Sequence, residues 1–306
     1  MDYHVPVMAK EVLEYLEPKE NKVFLDCTLG GGGHTKLFLK ALNGTGAVYG
    51  IDRDKEALIR NEELLSRNRN FKIFNIPFSK LFEEEAISFG LRFDAVLMDL
   101  GVSSRQIDSR ERGFSFREDA KLDMRMGEGC NISAYEVVNE YSFENLRSIF
   151  YKYGEERLSS KIAGRIVDIR ENGKIETTLQ LKSLIESCVS VKQKVKSVSR
   201  IFQAIRIEVN NELNELEVFL KNVVDILNPK GRVAIISYHS LEDRIVKNFI
   251  KEGSTDCICP VNFPVCRCDK RAVIKPITRK ALLPTESEIE DNSRARSAKM
   301  RVFEKV

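Results

Sequence analysis

The residues that decide the fold are Lys22–Cys27 (KVFLDC) and the run behind them, Thr28-Leu29-Gly30-Gly31-Gly32-Gly33-His34-Thr35. The first six read as a short apolar strand. Four consecutive glycines then separate it from Thr35–Leu42, where apolar residues recur at helical spacing. Glycine lets a backbone adopt positive φ and approach a ligand closely. A strand, a glycine loop and a helix in that order form a ligand cradle at the carboxyl edge of a parallel sheet.

Outward from that unit the alternation continues. Ala47–Asp52 (AVYGID) is a second predicted strand, Lys55–Ser66 a second helix, Phe71–Ile76 a third strand and Phe93–Leu100 (FDAVLMDL) a fourth. Near-continuous apolar runs suit parallel strands buried on both faces. The predicted fold class is α/β, a Rossmann-like, doubly wound sheet. Strand signal then almost vanishes over residues 105–216. Helices are predicted around Glu136–Val138, Phe143–Tyr153, Leu158–Ile169 and Leu179–Val189, with one long helix over Ser199–Leu227. Strand character returns at Arg232–Ser237, Ala272–Ile274 and Lys299–Phe303. The expected organisation is a discontinuous sheet domain, 1–104 with 217–306, interrupted by a helical insertion, 105–216.

The 306 residues are 42% hydrophobic and 31% charged, enough apolar matter for a core and too much for a disordered chain. Basic residues number 49 against 46 acidic, a net charge of +3, which excludes an acidic tail protein and a histone-like polycation. No stretch reaches the roughly 20 apolar residues of a membrane span. Met1–Lys10 lacks a signal-peptide apolar core, so a cytoplasmic protein is expected. Of seven cysteines, Cys257, Cys259, Cys266 and Cys268 cluster, a poor disulfide framework. Zinc on these four is one reading, although the C-x-C gaps are tighter than the usual C-x₂₋₄-C. Ordinary thiols or a redox-sensitive loop is the favoured reading, and the chemistry below requires no metal.

The glycine run fits neither common nucleotide fingerprint. Counting G-x-G-x-x-G from Gly30, the third glycine falls on Thr35, and no G-K-[ST] follows. Asp52 ends the second strand, where a carboxylate can accept from both ribose hydroxyls of an adenosine. NAD would share Asp52 but leaves Asp26 unexplained, since a carboxylate is unwelcome beside pyrophosphate and welcome beside a sulfonium or ammonium. That combination points to S-adenosylmethionine (SAM). Phe78, after the third strand, is placed to stack on adenine or to pack in the core. His34 opens the first helix and either faces the methionine end or packs.

The fourth strand ends in Asp99-Leu100-Gly101-Val102-Ser103-Ser104. The lone pair of a nucleobase amine is delocalised into the ring, and a carboxylate accepting one N–H helps the nitrogen pyramidalise toward a methyl donor. Amino-methyltransferases of DNA commonly carry Asp/Asn/Ser-Pro-Pro-Tyr here. This chain lacks those prolines and that aromatic, so Tyr238 or His239, in ISYHSLEDR, is expected to stack on the base. Asp99, Tyr238 and His239 form the expected catalytic set. Ser240–Asp243 also reads as a helix capping box. For the nucleic acid, Lys192, Lys194, Lys196, Arg200 and Arg206 crowd the entry to the long helix. Arg112, Arg117 and Arg125 interleave with Phe114 and Phe116, a mixture suited to phosphate contact and stacking. A solvated helix face and aromatic packing at the domain junction are the alternatives.

Several motifs then occur together: HVPVM (His4–Met8), DCTLGGGGHT, DLGVSS-x-Q-x-D (Asp99–Asp108), RGFSF (Arg112–Phe116), LDMRM (Leu122–Met126), FQAIRIEVNNEL (Phe202–Leu213), SYHSLEDR and NSRARSAKMR (Asn292–Arg301). In this set the whole chain resembles the MraW family of bacterial small-subunit rRNA cytosine-N4 methyltransferases. Arg105 stands where that family often has proline. The resemblance implies SAM as methyl donor, with contacts at Gly32, Gly33, His34, Asp52, Phe78, Asp99 and Gln106. It implies methylation of the exocyclic N4 amine of a decoding-centre cytidine in 16S rRNA, with the small ribosomal subunit as partner. The residues by themselves leave open another nucleic-acid amine as acceptor, or a SAM-responsive RNA-binding or ribosome-assembly protein without catalysis.

Overall fold

The computed structural model describes residues 6–84, 90–103, 106, 109, 111–127, 130–259 and 267–306. Arg105, Asp108 and Cys266, singled out above, lie outside them. The strands are β1 (Val23–Asp26), β2 (Ala47–Ile51), β3 (Phe71–Phe74), β4 (Phe93–Asp99), β5 (Leu227–Ser237), β6 (Ile274–Pro276) and β7 (Lys299–Lys305). The helices are α1 (Ala9–Leu16), α2 (Gly33–Leu42), α3 (Lys55–Arg67), α4 (Ala134–Glu140), α5 (Phe143–Lys152), α6 (Ser159–Arg170), α7 (Thr178–Cys188), α8 (Lys194–Asn210), α9 (Glu212–Val223), α10 (Ser240–Gly253) and α11 (Glu286–Asp291). The chain divides into two compact units, Met1–Gly101 with Asn214–Val306, and Val102–Leu213.

The first unit holds the seven-stranded sheet, in the order β3-β2-β1-β4-β5-β7-β6. Strands β1 to β5 pair in parallel, and β7 runs antiparallel to both β5 and β6. Chain order reverses beside β1, with β2 and β3 on one side and β4 on the other. A parallel sheet that reverses there leaves a crevice outside its carboxyl ends, where ligands bind. Side-chain alternation gives the sheet two apolar faces. Leu25, Val96 and Met98 pack with Leu216, Phe219 and Leu220 of α9. Phe24, Val48 and Leu97 pack with Phe38 and Leu42 of α2 and with Val12 and Leu16 of α1. Each such side chain removed from water contributes about 1.5–3 kcal/mol before entropy is counted.

The second unit is helical. Phe150, Ile162, Ile166, Leu181, Ile201 and Ile205 are buried at the centre of its own core. Its ladder pairing among the described residues is an isolated bridge, Lys121 with Thr177. Among the described residues no helix is long and apolar enough to cross a membrane.

Two expectations are corrected. The single helix over Ser199–Leu227 is two helices, because Asn211 adopts φ 52° and its N–H turns back to the carbonyls of Glu208 and Ile207. Asparagine tolerates that left-handed conformation better than most residues. Buried Asn210 beside it donates to the Met124 carbonyl at 2.7 Å and accepts from the Met126 N–H at 2.8 Å. The fifth strand begins at Leu227, ahead of the expected Arg232. Its register against β4 jumps from Phe93–Leu227 to Ala95–Arg232, with Lys230 at φ 63° in the bulge.

Candidate active site

The carboxyl ends of β1, β2 and β4 each deliver an aspartate: Asp26, Asp52 and Asp99. Asp26 is buried and accepts from the Thr35 hydroxyl at 2.8 Å and the Thr28 N–H at 3.2 Å. It thereby fixes the glycine loop to the first turn of α2. Asp52 accepts from the Gly30 N–H and the Asp54 N–H, both at 2.8 Å. Each of its oxygens keeps a second lone pair for a ligand hydroxyl. Asp99 is held twice. Its N–H donates to Thr28 Oγ1 at 2.7 Å, and its Oδ1 accepts from the Tyr238 hydroxyl at 2.6 Å.

All three carboxyls are pushed up to about 6, chiefly by burial. The charge of Asp26 adds to the rise at both Asp52 and Asp99. Burial and the Asp99 charge push the Tyr238 phenol far upward, so it stays protonated and donates. Three desolvated like charges around one crevice favour a cationic ligand, which would lower all three.

The loop between them is shaped for close approach. Gly32 caps α2 at φ 73°, and a Cβ there would fall 2.1 Å from Asn61 Oδ1. Asn61 is buried and donates to the carbonyls of Gly30 and Ala57, so α3 braces the loop. A Cβ on Gly31, by contrast, would meet nothing within 4 Å. Gly33 is the first residue of α2 and lies against Pro6. His34 is buried, and its Nε2 lies 3.0 Å from the Val7 carbonyl. A carbonyl only accepts, so Nε2 carries the proton. Burial pushes the ring below its ordinary value, which favours the neutral form. Phe78 is half-buried and meets Phe219 edge-on at 5.6 Å, at the border of the sheet core. Asp52, the open Gly31 backbone, Asp26 and Asp99 thus fit the ribose and the cationic end of SAM. That compound, when bound, supplies an electrophilic methyl on a sulfonium.

Other expected residues have different local roles. His239 is the N-cap of α10, so the capping box begins one residue before the expected Ser240. Its N–H donates to Glu242 Oε2 at 3.2 Å, and its Nε2 lies 3.1 Å from Glu242 Oε1. Asp243, assigned to the box from sequence, instead pairs with Arg301 at 2.6 Å. In the second unit, Gln106 Oε1 accepts from the Ser103 N–H at 2.9 Å. Arg112 donates to the Arg125 carbonyl at 2.9 Å and lies 5.8 Å from the Phe114 ring centre. Phe114 and Phe116 both pack against the helical core, Phe116 edge-on to Phe202 at 5.3 Å. Arg206 is corrected as well. Its guanidinium makes a two-pronged pair with Glu212, at 2.8 and 2.9 Å, and is committed inside the unit. Lys194 lies 3.5 Å from Glu186 and Arg200 lies 3.8 Å from buried Glu156. Lys196 is exposed on the first turn of α8.

Sequence reasoning missed Thr28, Thr35 and Asn61 as the residues that set the aspartates and the loop. The two threonines lie inside the glycine motif, a signal of position but not of partner. Asn61, at a helix position where a polar residue is ordinarily solvated, gave none.

A family model described as the MraW methylase family matches residues 1–306. The ribosomal RNA small subunit methyltransferase H of Halothermothrix orenii is 46% identical, covering 99% of this chain and 98% of that protein. The protein of that name from Clostridioides difficile is 46% identical, covering 99% of both chains. The one from Fusobacterium nucleatum is 42% identical over 100% of this chain and 98% of its own. With full-length similarity at this level and a SAM-type cradle at the sheet edge, this chain belongs to the MraW methylase family of SAM-dependent methyltransferases.

Proposed function

We propose that this chain methylates the exocyclic N4 amine of a decoding-centre cytidine in 16S rRNA, on the small ribosomal subunit and in the cytoplasm. The observation that carries the reading is the Tyr238 hydroxyl on Asp99 Oδ1 at 2.6 Å. With Oδ1 engaged and the backbone N–H held by Thr28, the carboxylate has a fixed direction, and Oδ2 accepts one N–H of the amine. That bond draws the nitrogen out of conjugation and turns its lone pair toward the methyl. The nitrogen–carbon bond forms as the sulfur–carbon bond breaks, and the excess proton on nitrogen then leaves. Asp99, with its carboxyl near 6, is basic enough to take it. Asp52 orients the ribose, and the loop around Gly31 and Gly32 admits the cofactor backbone to backbone. A protein that only sensed SAM would have no need of a carboxylate braced by a phenol. Lys194, Lys196 and Arg200 at the start of α8 are the phosphate contacts in this reading, and Arg112 is a fourth.

Mass spectrometry of 16S rRNA nucleosides from cells with and without the gene tests it. Loss of N4-methylated cytidine at one decoding-centre position, restored by the wild-type gene and not by an Asp99→Ala copy, is expected. Unchanged methylation in the deletion strain overturns the assignment.

A further inference from the structure

The connection between α10 and β6 gathers three thiols, and we propose that Cys257, Cys259 and Cys268 bind a structural zinc(II) ion. Their sulfurs all lie within 4.8 Å of one another. Cys257 and Cys268 are 3.8 Å apart, sulfur to sulfur. Zinc–thiolate bonds of about 2.3 Å in a tetrahedron put neighbouring sulfurs about 3.8 Å apart. Each sulfur also receives a backbone donor. The N–H of Cys259 reaches Cys257 at 3.4 Å, that of Arg267 reaches Cys259 at 3.3 Å, and that of Ile258 reaches Cys268 at 3.3 Å. A neutral thiol is a weak acceptor, whereas a metal-bound thiolate is stabilised by such donors.

Residues 254–273 carry no helix or strand among those described. Of the connection's described apolar residues, Ile258 is 66% exposed and Val273 50% exposed. The base of the connection is closed by the Val273 N–H on the Gly253 carbonyl at 2.9 Å and the Ala272 N–H on Asp256 at 3.0 Å. A metal above that base cross-links the two ends of the connection. Three soft thiolates select zinc over harder divalent ions. Cys266, two residues before Cys268 in the sequence, lies outside the described residues. This site is separate from the SAM chemistry, so its test needs no turnover.

The full-length protein, produced with zinc and purified under reductant, is assayed for metal by mass spectrometry. About one zinc per chain is expected. Cys257→Ser and Cys268→Ser should each lower the content roughly tenfold, with Cys130→Ser as an unaffected control. Cobalt(II) in place of zinc should give the intense visible bands of a tetrahedral, thiolate-rich site. Chelation should speed tryptic cleavage after Arg267, Lys270 and Arg271 at least tenfold. Wild-type protein that takes up less than a tenth of an equivalent of zinc under reductant overturns the proposal whatever the variants do. So does a zinc content that survives both serine substitutions in folded protein.

Discussion

At the scale of single residues, one hydrogen bond ties the chemistry to residues 139 positions apart in the chain, Asp99 and Tyr238. Asp99→Ala should lower the single-turnover rate at saturating SAM and RNA by about 10²–10³, the usual cost of losing one positioned polar group. RNA affinity should change far less. Tyr238→Phe keeps the ring and removes the donor. The Tyr238 bond lowers the Asp99 carboxyl, opposing burial, so its loss should move the acidic limb of the pH–rate profile upward. An unmoved limb would mean that the phenol does not act through Asp99.

The raised carboxyls make a second, pH-dependent expectation. A carboxyl at about 6 in the folded protein lies above its unfolded value, so the folded state holds more protons between about pH 4 and 6. Stability from Asp52 and Asp99 in the ligand-free protein therefore falls as pH rises through that window and is greatest below it. A cationic ligand prefers both groups ionised. SAM affinity should consequently weaken as pH falls below 6, and binding near pH 6 should release protons. Titration calorimetry in buffers of different ionisation enthalpy measures the release directly. Zero release would detach these aspartates from the cofactor.

At the scale of elements, the glycine loop works because α3 braces it. Gly32→Ala places a Cβ in the left-handed region, which costs about 1–2 kcal/mol, and against an Asn61 already engaged on two carbonyls. Both the melting temperature and SAM affinity should fall, the affinity tenfold or more. Gly31→Ala, with open space around its Cβ, should leave the melting temperature within a degree or two. Equal destabilisation by the two substitutions, read by calorimetric melting, would contradict the bracing role of Asn61.

At the scale of the whole molecule, the net charge of +3 says little about RNA, because the cations are locally distributed. Arg206 is consumed by Glu212, and Arg200 lies near the buried carboxylate of Glu156. Lys194→Glu with Lys196→Glu is therefore the cleaner reversal. It should weaken rRNA binding and flatten its log–log salt dependence by about 0.7–0.9 for each phosphate no longer neutralised, with SAM affinity unchanged. A slope that stays put would make this turn of α8 a solvated face only.

The parallel sheet, the glycine cradle and the aspartates at three strand ends were legible in the sequence, because each depends on local periodicity and on residue types that tolerate few alternatives. Gly30–Gly33 between an apolar strand and a helix has few other uses, and Asp52 and Asp99 sit where the fold always exposes a strand end. What each side chain touches was decided by tertiary structure. Periodicity runs unbroken through Asn210–Asn211, and the helix stops there because buried Asn210 is bonded to Met124 and Met126, some 85 residues earlier. His239 became an N-cap because Glu242 reaches back to it, and Arg206 is paired inward because Glu212 lies two residues beyond the end of α8. A capping pattern or a charge cluster read from sequence specifies which groups are available. Burial and long-range partners then choose among them, since a buried polar group must be paired and an exposed one need not be.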